Sequence, residues 1–461
     1  MPSSANPAPQ PSAHVALLPS AGMGHLTPFL RLASSLVSLN CHVTLLRPLP
    51  VVSSAESLQF SDFLSSHSTV HCLDLHLLPF DPSSANSTDP FFLQFESISR
   101  SAPVLLPQLL LPLDPKPSAL ITDISLASSV APVSRARLNL PCFVLFTASA
   151  SMLSFCASFP KTDNIPGSPF IDRSTIPPVL RDPNNLFTQQ FSNNGATLAA
   201  TDGVLVNTFD ALEPRALAAL NRGEVLEGLP RVSAIGTLMP LEKKRGRSAP
   251  ARARELEWLD GQPERSVVYV SFGSRTALSE AQIKELARGL ERSGFRFLWV
   301  IKMKVVDKED KEGLEGLFGD GFMEKVKARG LVVKDWVEQE EILAHGAVAA
   351  FVSHCGWNSV TEAAMHGVRV LAWPRIGDQR INAGVVEAAG MGRLLKGWEW
   401  GCGGEKVVAG EVVEEALREI MEDASVGACA ARVREEAVRA VGVGGSSRES
   451  LAGLIEKWSK C

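Results

Sequence analysis

Short runs of β-branched and leucine-rich residues alternate along the chain with longer stretches whose apolar positions recur at helical spacing. That alternation marks parallel strands joined by crossover helices. Residues 15–19, 42–46, 119–122, 142–146 and 203–206 read as strands of one sheet. Residues 266–272, 297–301, 330–334, 349–353 and 368–372 read as strands of a second, separated by helical segments such as 280–292. Between the two sets the pattern breaks at residues 241–256, where Lys, Arg, Gly and Pro crowd together as in a solvated linker. The reading is α/β: a first lobe at 14–240, a second at 257–445, and a final amphipathic helix at 446–461, placed to return to the first lobe. Residues 1–13, rich in Pro, Ser and Ala, read as a disordered lead-in.

Composition narrows the class. A length of 461 residues fits two large lobes, and 45% apolar residues, 21% charged residues and a net charge of −5 are ordinary for a soluble protein and offer nothing to nucleic acid. The eight cysteines are scattered, without the close pairs that zinc or dithiol chemistry needs, which fits a reducing compartment. The start of the chain lacks the basic and apolar runs of a signal peptide. The most apolar run, residues 104–113, is broken by Pro107 and Pro112 and is too short for a membrane span. A cytoplasmic monomer with no integral membrane segment is expected.

The chemistry concentrates between Trp336 and Gln379. Residues 349–353 read as a buried strand, His354-Cys355-Gly356-Trp357-Asn358 as a tight turn, and residues 359–366 as a helix. The turn feeds a helix N-terminus, where free backbone N–H groups and the helix dipole favour an anion such as a pyrophosphate. Gly356 lets the backbone come close, and His354, Asn358 and Ser359 are able to donate to phosphate oxygens. Each also has a purely structural reading: Ser359 and Glu362 have the spacing of a capping box, and Asn358 suits any turn. The ensemble points further, because Trp336 is able to stack on a base, Glu362 to accept from ribose hydroxyls, and Asp378-Gln379 to bond sugar hydroxyls.

A second constellation lies in the first lobe. The first strand runs into Ser20-Ala21-Gly22-Met23-Gly24-His25, and Leu26 begins a helix with Pro28 in its first turn. At a helix N-terminus the dipole disfavours the imidazolium, so His25 is neutral and fit to accept a proton. Asp123 ends the strand 119–122, at the carboxyl edge where open α/β sheets gather ligands. An Asp bonded to the far imidazole nitrogen fixes the tautomer and stabilises the charged ring. A loop-capping carboxylate is the alternative for Asp123.

The order W-x-x-Q, H-C-G-W-N-S-x-x-E, P-x-x-x-D-Q resembles the signature of plant family 1 UDP-dependent glycosyltransferases. The resemblance covers nearly the whole chain and implies a GT-B fold: two facing Rossmann-like lobes with parallel sheets and an interlobe cleft, acceptor on the first lobe and donor on the second. It implies that Trp336 stacks on uracil, that Val337 and Gln339 contact the uridine, and that Glu362 holds the ribose. It assigns His354, Asn358 and Ser359 to the phosphates, and Trp357, Asp378 and Gln379 to the sugar. Ser274, in the Ser271-Phe272-Gly273-Ser274 turn, is a further donor candidate. His25 and Asp123 stand where the family has its catalytic pair, which implies a single inverting displacement with UDP-glucose as co-substrate and neither a metal nor a tightly bound cofactor. Arg369, where the family usually has Pro, is a minor departure.

The motifs around His25, Asp89-Pro90-Phe91-Phe92, Thr122-Asp123-Ile124 and Phe146-Thr147-Ala148-Ser149-Ala150 further resemble plant C-glucosyltransferases acting on 2-hydroxyflavanones and dihydrochalcones. Asp89, Phe91, Phe92, Ile124, Phe146, Met152, Phe155 and Phe187 are the candidates for binding a polyphenol. Asp89-Pro90 also has the form of an N-cap followed by a helix-starting proline. An O-glucosyltransferase on the same acceptors is the rival enzyme. A catalytically inert nucleotide-sugar sensor fits less well with both His25 and Asp123 present. A dinucleotide dehydrogenase lacks its G-x-G-x-x-G fingerprint.

Overall fold

The computed structural model describes residues 12–241, 253–273, 277–302, 315–318, 321–334, 337–397, 399–400 and 406–460. Trp336 and Ser274 lie outside the described residues, as do residues 1–11 of the expected lead-in and 242–252 of the expected linker.

Among the described residues thirteen strands form two sheets. The first sheet comprises β1 (His14–Leu18), β2 (His42–Leu49), β3 (His71–His76), β4 (Ala119–Asp123), β5 (Cys142–Phe146), β6 (Gly203–Val206) and β7 (Val232–Ala234), in the order β3-β2-β1-β4-β5-β6-β7. The second comprises β8 (Val267–Ser271), β9 (Arg296–Val300), β10 (Gly330–Val333), β11 (Val348–Ser353), β12 (Arg369–Ala372) and β13 (Gly392–Leu394), in the order β10-β9-β8-β11-β12-β13. Every neighbouring pair is parallel. These are two Rossmann-like lobes, and β3, β7 and β13 are the strands that the apolar pattern did not announce. All three are edge strands. Two have only three residues, and β3 (HCLDLH) mixes polar with apolar positions because most of it is half-exposed.

The strand order reverses between β1 and β4 in the first sheet and between β8 and β11 in the second. The loops leaving these neighbouring strands part to opposite faces and leave a crevice at the carboxyl edge. Leu18 of β1 is in register with Thr122 of β4, so the loop carrying His25 and the end of β4 carrying Asp123 emerge side by side. Ser271 of β8 is in register with Ser353 of β11, which sets Gly273 beside His354.

Three helices refine the expected layout. The helix Arg254–Asp260 starts inside the segment read as linker, because Leu256 and Leu259 bury themselves in the second lobe's core. The run containing Pro107 belongs to one helix, Pro90–Leu110, with Pro103 and Pro107 inside it. Proline 107 has no N–H to give the carbonyl of residue 103, and Arg137 Nη1 supplies that bond to Pro103 O at 2.7 Å. The last helix, Ser446–Trp458, crosses to the first lobe, where Leu451, Ile455 and Trp458 join the core and the Trp458 indole meets the Phe143 ring edge-on at 5.3 Å. Among the described residues no helix is long and apolar enough to cross a membrane.

Candidate active site

The helix that carries His25 runs Met23–Ser38, so it begins three residues before the Leu26 expected from the sequence, and Pro28 lies inside it rather than in its first turn. Gly22 is the N-cap, at φ 96°, a conformation that costs a side chain dearly. The Gly22 N–H donates to buried Glu56 Oε1 at 2.6 Å, and the other oxygen of Glu56 closes a capping box with Ser53. His25 therefore sits in a first turn whose approach is fixed from outside by Glu56.

His25 Nδ1 lies 2.9 Å from Asp123 Oδ2 and 3.1 Å from Thr147 Oγ1. Asp123 has no exposed surface, and its second oxygen accepts from Ser125 N at 2.8 Å and Ser125 Oγ at 2.6 Å. Burial alone pushes this carboxyl up, but attraction to His25 and the bonds from His25 and Ser125 outweigh it and hold the pKa below the ordinary carboxylate range. An ionised carboxylate only accepts, so Nδ1 carries a proton, and in the neutral ring the lone pair is therefore on Nε2. The imidazole is 28% exposed, so it is accessible to an acceptor.

Phenylalanines wall this pair. Phe95 meets the His25 ring edge-on at 5.4 Å, Phe92 stacks on Phe187 at 4.4 Å, and Phe91 packs with Ala21 and Phe95. Asp89 caps the helix that bears them, accepting from Phe91 N at 2.8 Å and Phe92 N at 3.4 Å. The cap reading of Asp89 is thus present, alongside any role toward an acceptor. Ile124 is partly exposed next to Asp123, whereas Phe146 and Met152 are buried. Phe155, expected in the pocket lining, has no exposed surface and is held between Phe159 and Phe191. It is a core residue.

Across the cleft, the helix after β11 is Trp357–His366, with Gly356 as its N-cap. Ser359 and Glu362 therefore fall inside the helix and form no capping box. The first intrahelical bond is Val360 N to Gly356 O, so the N–H groups of Trp357, Asn358 and Ser359 precede it and are the orphan donors of the helix start. His354 Nδ1 and Asn358 Oδ1 are buried polar atoms without a hydrogen-bond partner among the described residues. Such atoms cost free energy unless something arrives to pair with them. The free backbone N–H groups fit an anion, while Asn358 Oδ1, which only accepts, fits a hydroxyl donor.

The His354 ring is packed between two glycines: a Cβ on Gly273 or on Gly356 would stand 2.6 Å from Nε2. Burial lowers the His354 pKa from an ordinary 6.5 to about 4, so the ring is neutral at pH 7. The unfolded chain takes up a proton near 6.5 that the folded chain refuses until about 4. This ring's contribution to stability is therefore complete above pH 6.5 and is lost as pH falls toward 4. Unfolding midpoints measured from pH 7 to 4 should fall less in a His354→Gln variant than in the parent; equal slopes would contradict the assignment.

Glu362 accepts from Gln339 Nε2 at 2.8 Å through one oxygen and from Arg31 Nη2 at 2.7 Å through the other. Gln339 Nε2 also donates to Ser359 Oγ at 2.9 Å, and Val337 is buried against the core beneath. Arg31 lies on the His25 helix, so this ion pair ties the two lobes together, and Glu340 joins it at 3.0 Å. Trp357 is 3% exposed and gives its indole N–H to Asn207 O of the first lobe at 2.8 Å. Its ring is therefore an interlobe contact, and only its backbone N–H remains as a group to meet a sugar or phosphate. Gln379 Oε1 accepts from Arg375 N and Ile376 N, which closes the turn before its helix, and Asp378 Oδ2 accepts from Asn382 Nδ2 at 2.7 Å. Arg31, Glu56, Asn207 and Asn382 were not selected from the sequence; among them only Glu56, in the capping-box spacing Ser53-x-x-Glu56, had a local signal.

A cavity of about 700 Å³ lies elsewhere, between β7 and the last helix, lined by Asp210, Asn221, Arg231 and Ser446 among others, and contains neither constellation. Among the described residues no three His, Cys, Asp or Glu side chains converge as a metal-binding group.

Comparison with known proteins now gives the arrangement its context. Residues 235–429 match the family model described as "UDP-glucoronosyl and UDP-glucosyl transferase". The chain is 51% identical over 465 residues to UDP-glycosyltransferase 708G2 of Citrus unshiu, covering 97% of each. It is 51% identical over 453 residues to UDP-glycosyltransferase CGT of Oryza sativa subsp. indica, covering 95% of this chain and 94% of the relative. The crystal structure of LpCGTa in complex with UDP superposes with a TM-score of 0.86 at 48% identity, over 97% of this chain and 99% of that one. Both lobes have the GT-B arrangement of these structures. The chain belongs to the plant family 1 UDP-glycosyltransferases and is a UDP-glycosyltransferase.

Proposed function

We propose that the enzyme is an inverting, UDP-glucose-dependent C-glucosyltransferase that forms a β-C-glucoside on the phloroglucinol-type ring of a 2-hydroxyflavanone or a dihydrochalcone such as phloretin. The observation that carries the reading is the His25–Asp123 pair at 2.9 Å inside a wall of phenylalanines, facing a helix N-terminus with orphaned donors. The similarity to proteins whose names carry the letters CGT supports carbon as the site of attack.

The first lobe takes the acceptor and the second the donor. Trp336 stacks on the uracil, with Val337 and Gln339 on the uridine. A carboxylate offers about four lone-pair sites, so Glu362, with two engaged by Gln339 and Arg31, retains capacity for ribose hydroxyls. The N–H groups of Trp357, Asn358 and Ser359, with His354 and Ser274, hold the diphosphate, and Gly356 gives it room. Asp378 and Gln379 hold the glucose. Phe92, Phe187, Phe91, Ile124 and Asp89 address the polyphenol, with Phe146 and Met152 behind them.

In the reaction, His25 Nε2 takes the proton of a ring hydroxyl, and the ionised Asp123 stabilises the imidazolium. The phenolate spreads its charge onto the ortho carbon, which attacks the anomeric carbon from the face opposite UDP. The carbon–carbon bond forms as the bond to the phosphate oxygen breaks, and UDP departs with that electron pair toward the helix N-terminus. The attacking ring carbon then loses its own proton, the ring oxygen regains one, and the ring is aromatic again, while the proton held by His25 passes to solvent.

Incubation of purified protein with UDP-glucose and phloretin tests the reading: the product should survive hot acid that cleaves O-glucosides. Complete conversion of all products back to phloretin would overturn it in favour of O-transfer. A separate test addresses the donor assignment. Alanine at Gly356 drives the His354 ring out of its slot, and UDP binding measured by calorimetry should weaken roughly tenfold, about 1.4 kcal/mol. Undiminished UDP affinity in Gly356→Ala would contradict the placing of the diphosphate.

A further inference from the structure

A polar path crosses the cleft through Asn382 and Ser149. Asn382, fully buried on the helix Gln379–Ala388, donates through Nδ2 to Asp378 Oδ2 at 2.7 Å and to Cys355 O at 3.0 Å. Its Oδ1 accepts from Ser149 Oγ of the first lobe at 2.8 Å. These partners fix the orientation of the amide: nitrogen toward a carboxylate and a carbonyl, oxygen toward a hydroxyl. Asn382 thus holds both Asp378 and the turn that precedes the donor helix.

On the other side, Ser149 is equally buried and is itself fixed. Its Oγ caps the helix Ala150–Ser158 by accepting from Met152 N at 3.1 Å. Buried Glu213 accepts from Ala150 N and Ser151 N, each at 2.9 Å, which pins the start of that helix. Two residues before Ser149, Thr147 Oγ1 touches His25 Nδ1 at 3.1 Å. The segment 147–149 is therefore in contact with the base at one end and with the sugar corner at the other.

We propose that Asn382 is a positioning residue that sets the glucose-binding carboxylate Asp378 in register with the His25 base, through its bond to Ser149. The proposal rests on the reading of Asp378 as a sugar contact. It explains why an amide is spent in a fully buried site between lobes, where either an apolar side chain or a carboxylate leaves partners unpaired. Loss of the amide frees the sugar corner to drift relative to the base, and a misplacement of about 1 Å costs up to roughly 100-fold in rate.

The test measures UDP binding by calorimetry and turnover of UDP-glucose with phloretin in Asn382→Ala, Ser149→Ala, Ser149→Thr and the double variant Asn382→Ala/Ser149→Ala. Asn382→Ala should bind UDP within about twofold of the parent while kcat falls roughly 10- to 100-fold. Ser149→Ala should show a smaller loss that Ser149→Thr restores, and the double variant should be no slower than Asn382→Ala alone. An unchanged kcat in Asn382→Ala, equal losses of UDP binding and turnover, or additive losses in the double variant would overturn it. Should Asn382→Ala fail to fold, the Ser149→Ala and Ser149→Thr pair decides: loss restored by the hydroxyl supports the path, and no loss refutes it. Asp378→Asn separates the two layers. If it leaves kcat and KM for UDP-glucose unchanged, the sugar contact is wrong; if it impairs them while the Asn382 and Ser149 variants do not, only the present inference fails.

Discussion

Alanine in place of His25 is expected to lower kcat for sugar transfer roughly 100- to 10,000-fold, with UDP bound as tightly as before. The expectation follows from where the ring stands. Its Nδ1 is held by an ionised, fully buried Asp123, which leaves the Nε2 lone pair as the proton acceptor. The proposed donor side chains belong to the other lobe. Asp123→Asn should lose a similar factor, because a neutral amide neither fixes the Nδ1–H tautomer nor balances the imidazolium. Single-turnover rates alongside UDP calorimetry check both variants. Turnover within tenfold of the parent in His25→Ala would remove it from the role of base.

The second large effect is on the join between lobes. Arg31→Met should destabilise the protein by about 3 kcal/mol, the lower end of what breaking a buried ion pair costs, and should raise KM for UDP-glucose. Arg31 Nη2 meets Glu362 at 2.7 Å and Glu340 at 3.0 Å, and its side chain is 8% exposed. Without the guanidinium, two carboxylates face each other in poor contact with water, and one of them is the proposed ribose ligand. Arg31→Lys should recover part of the stability, since one ammonium pairs with one carboxylate but does not span two. Replacing Glu340 with Gln in the Arg31→Met background should recover part of it too, by removing one of the repelling charges. Denaturant midpoints check the first effect and steady-state kinetics the second; a midpoint unchanged by Arg31→Met would show that the pair contributes nothing to the join.

How much of this could be read in the sequence depended on whether the residues concerned are neighbours in the chain. Interior strands such as β1, β4, β5, β8 and β11 are buried on both faces, so they appear as apolar runs. The edge strands β7 and β13 have three residues each and give no such signal. The turn from His354 to Asn358 was legible as the start of a helix because Gly356 and the polar residues after it are contiguous. The same logic misplaced that start by two residues, because a serine three before a glutamate looks like a cap wherever it occurs. Asn358, two residues along the helix, lies where free N–H groups gather without being a cap at all.

The contacts between lobes were illegible for a different reason. Arg31 meets Glu362 across 331 positions, Ser149 meets Asn382 across 233, and Trp357 meets Asn207 across 150. Nothing in the local pattern of a helix says which of its polar residues turns toward a partner lobe. Trp357 shows the consequence: nothing in its motif says that its buried indole bonds a first-lobe carbonyl. Asp89 shows the converse, since the local reading as an N-cap is present in the structure whatever else the residue does.

The most direct test of the proposed carbon transfer is the nuclear magnetic resonance spectrum of the product made from UDP-glucose and phloretin. A single displacement by a ring carbon predicts one species whose anomeric proton shows the large coupling of a β-glucoside and a through-bond correlation to a quaternary carbon of the phloroglucinol ring with no oxygen between. An anomeric carbon attached to oxygen would contradict carbon attack, and an α-configured product would contradict inversion by a base-activated acceptor.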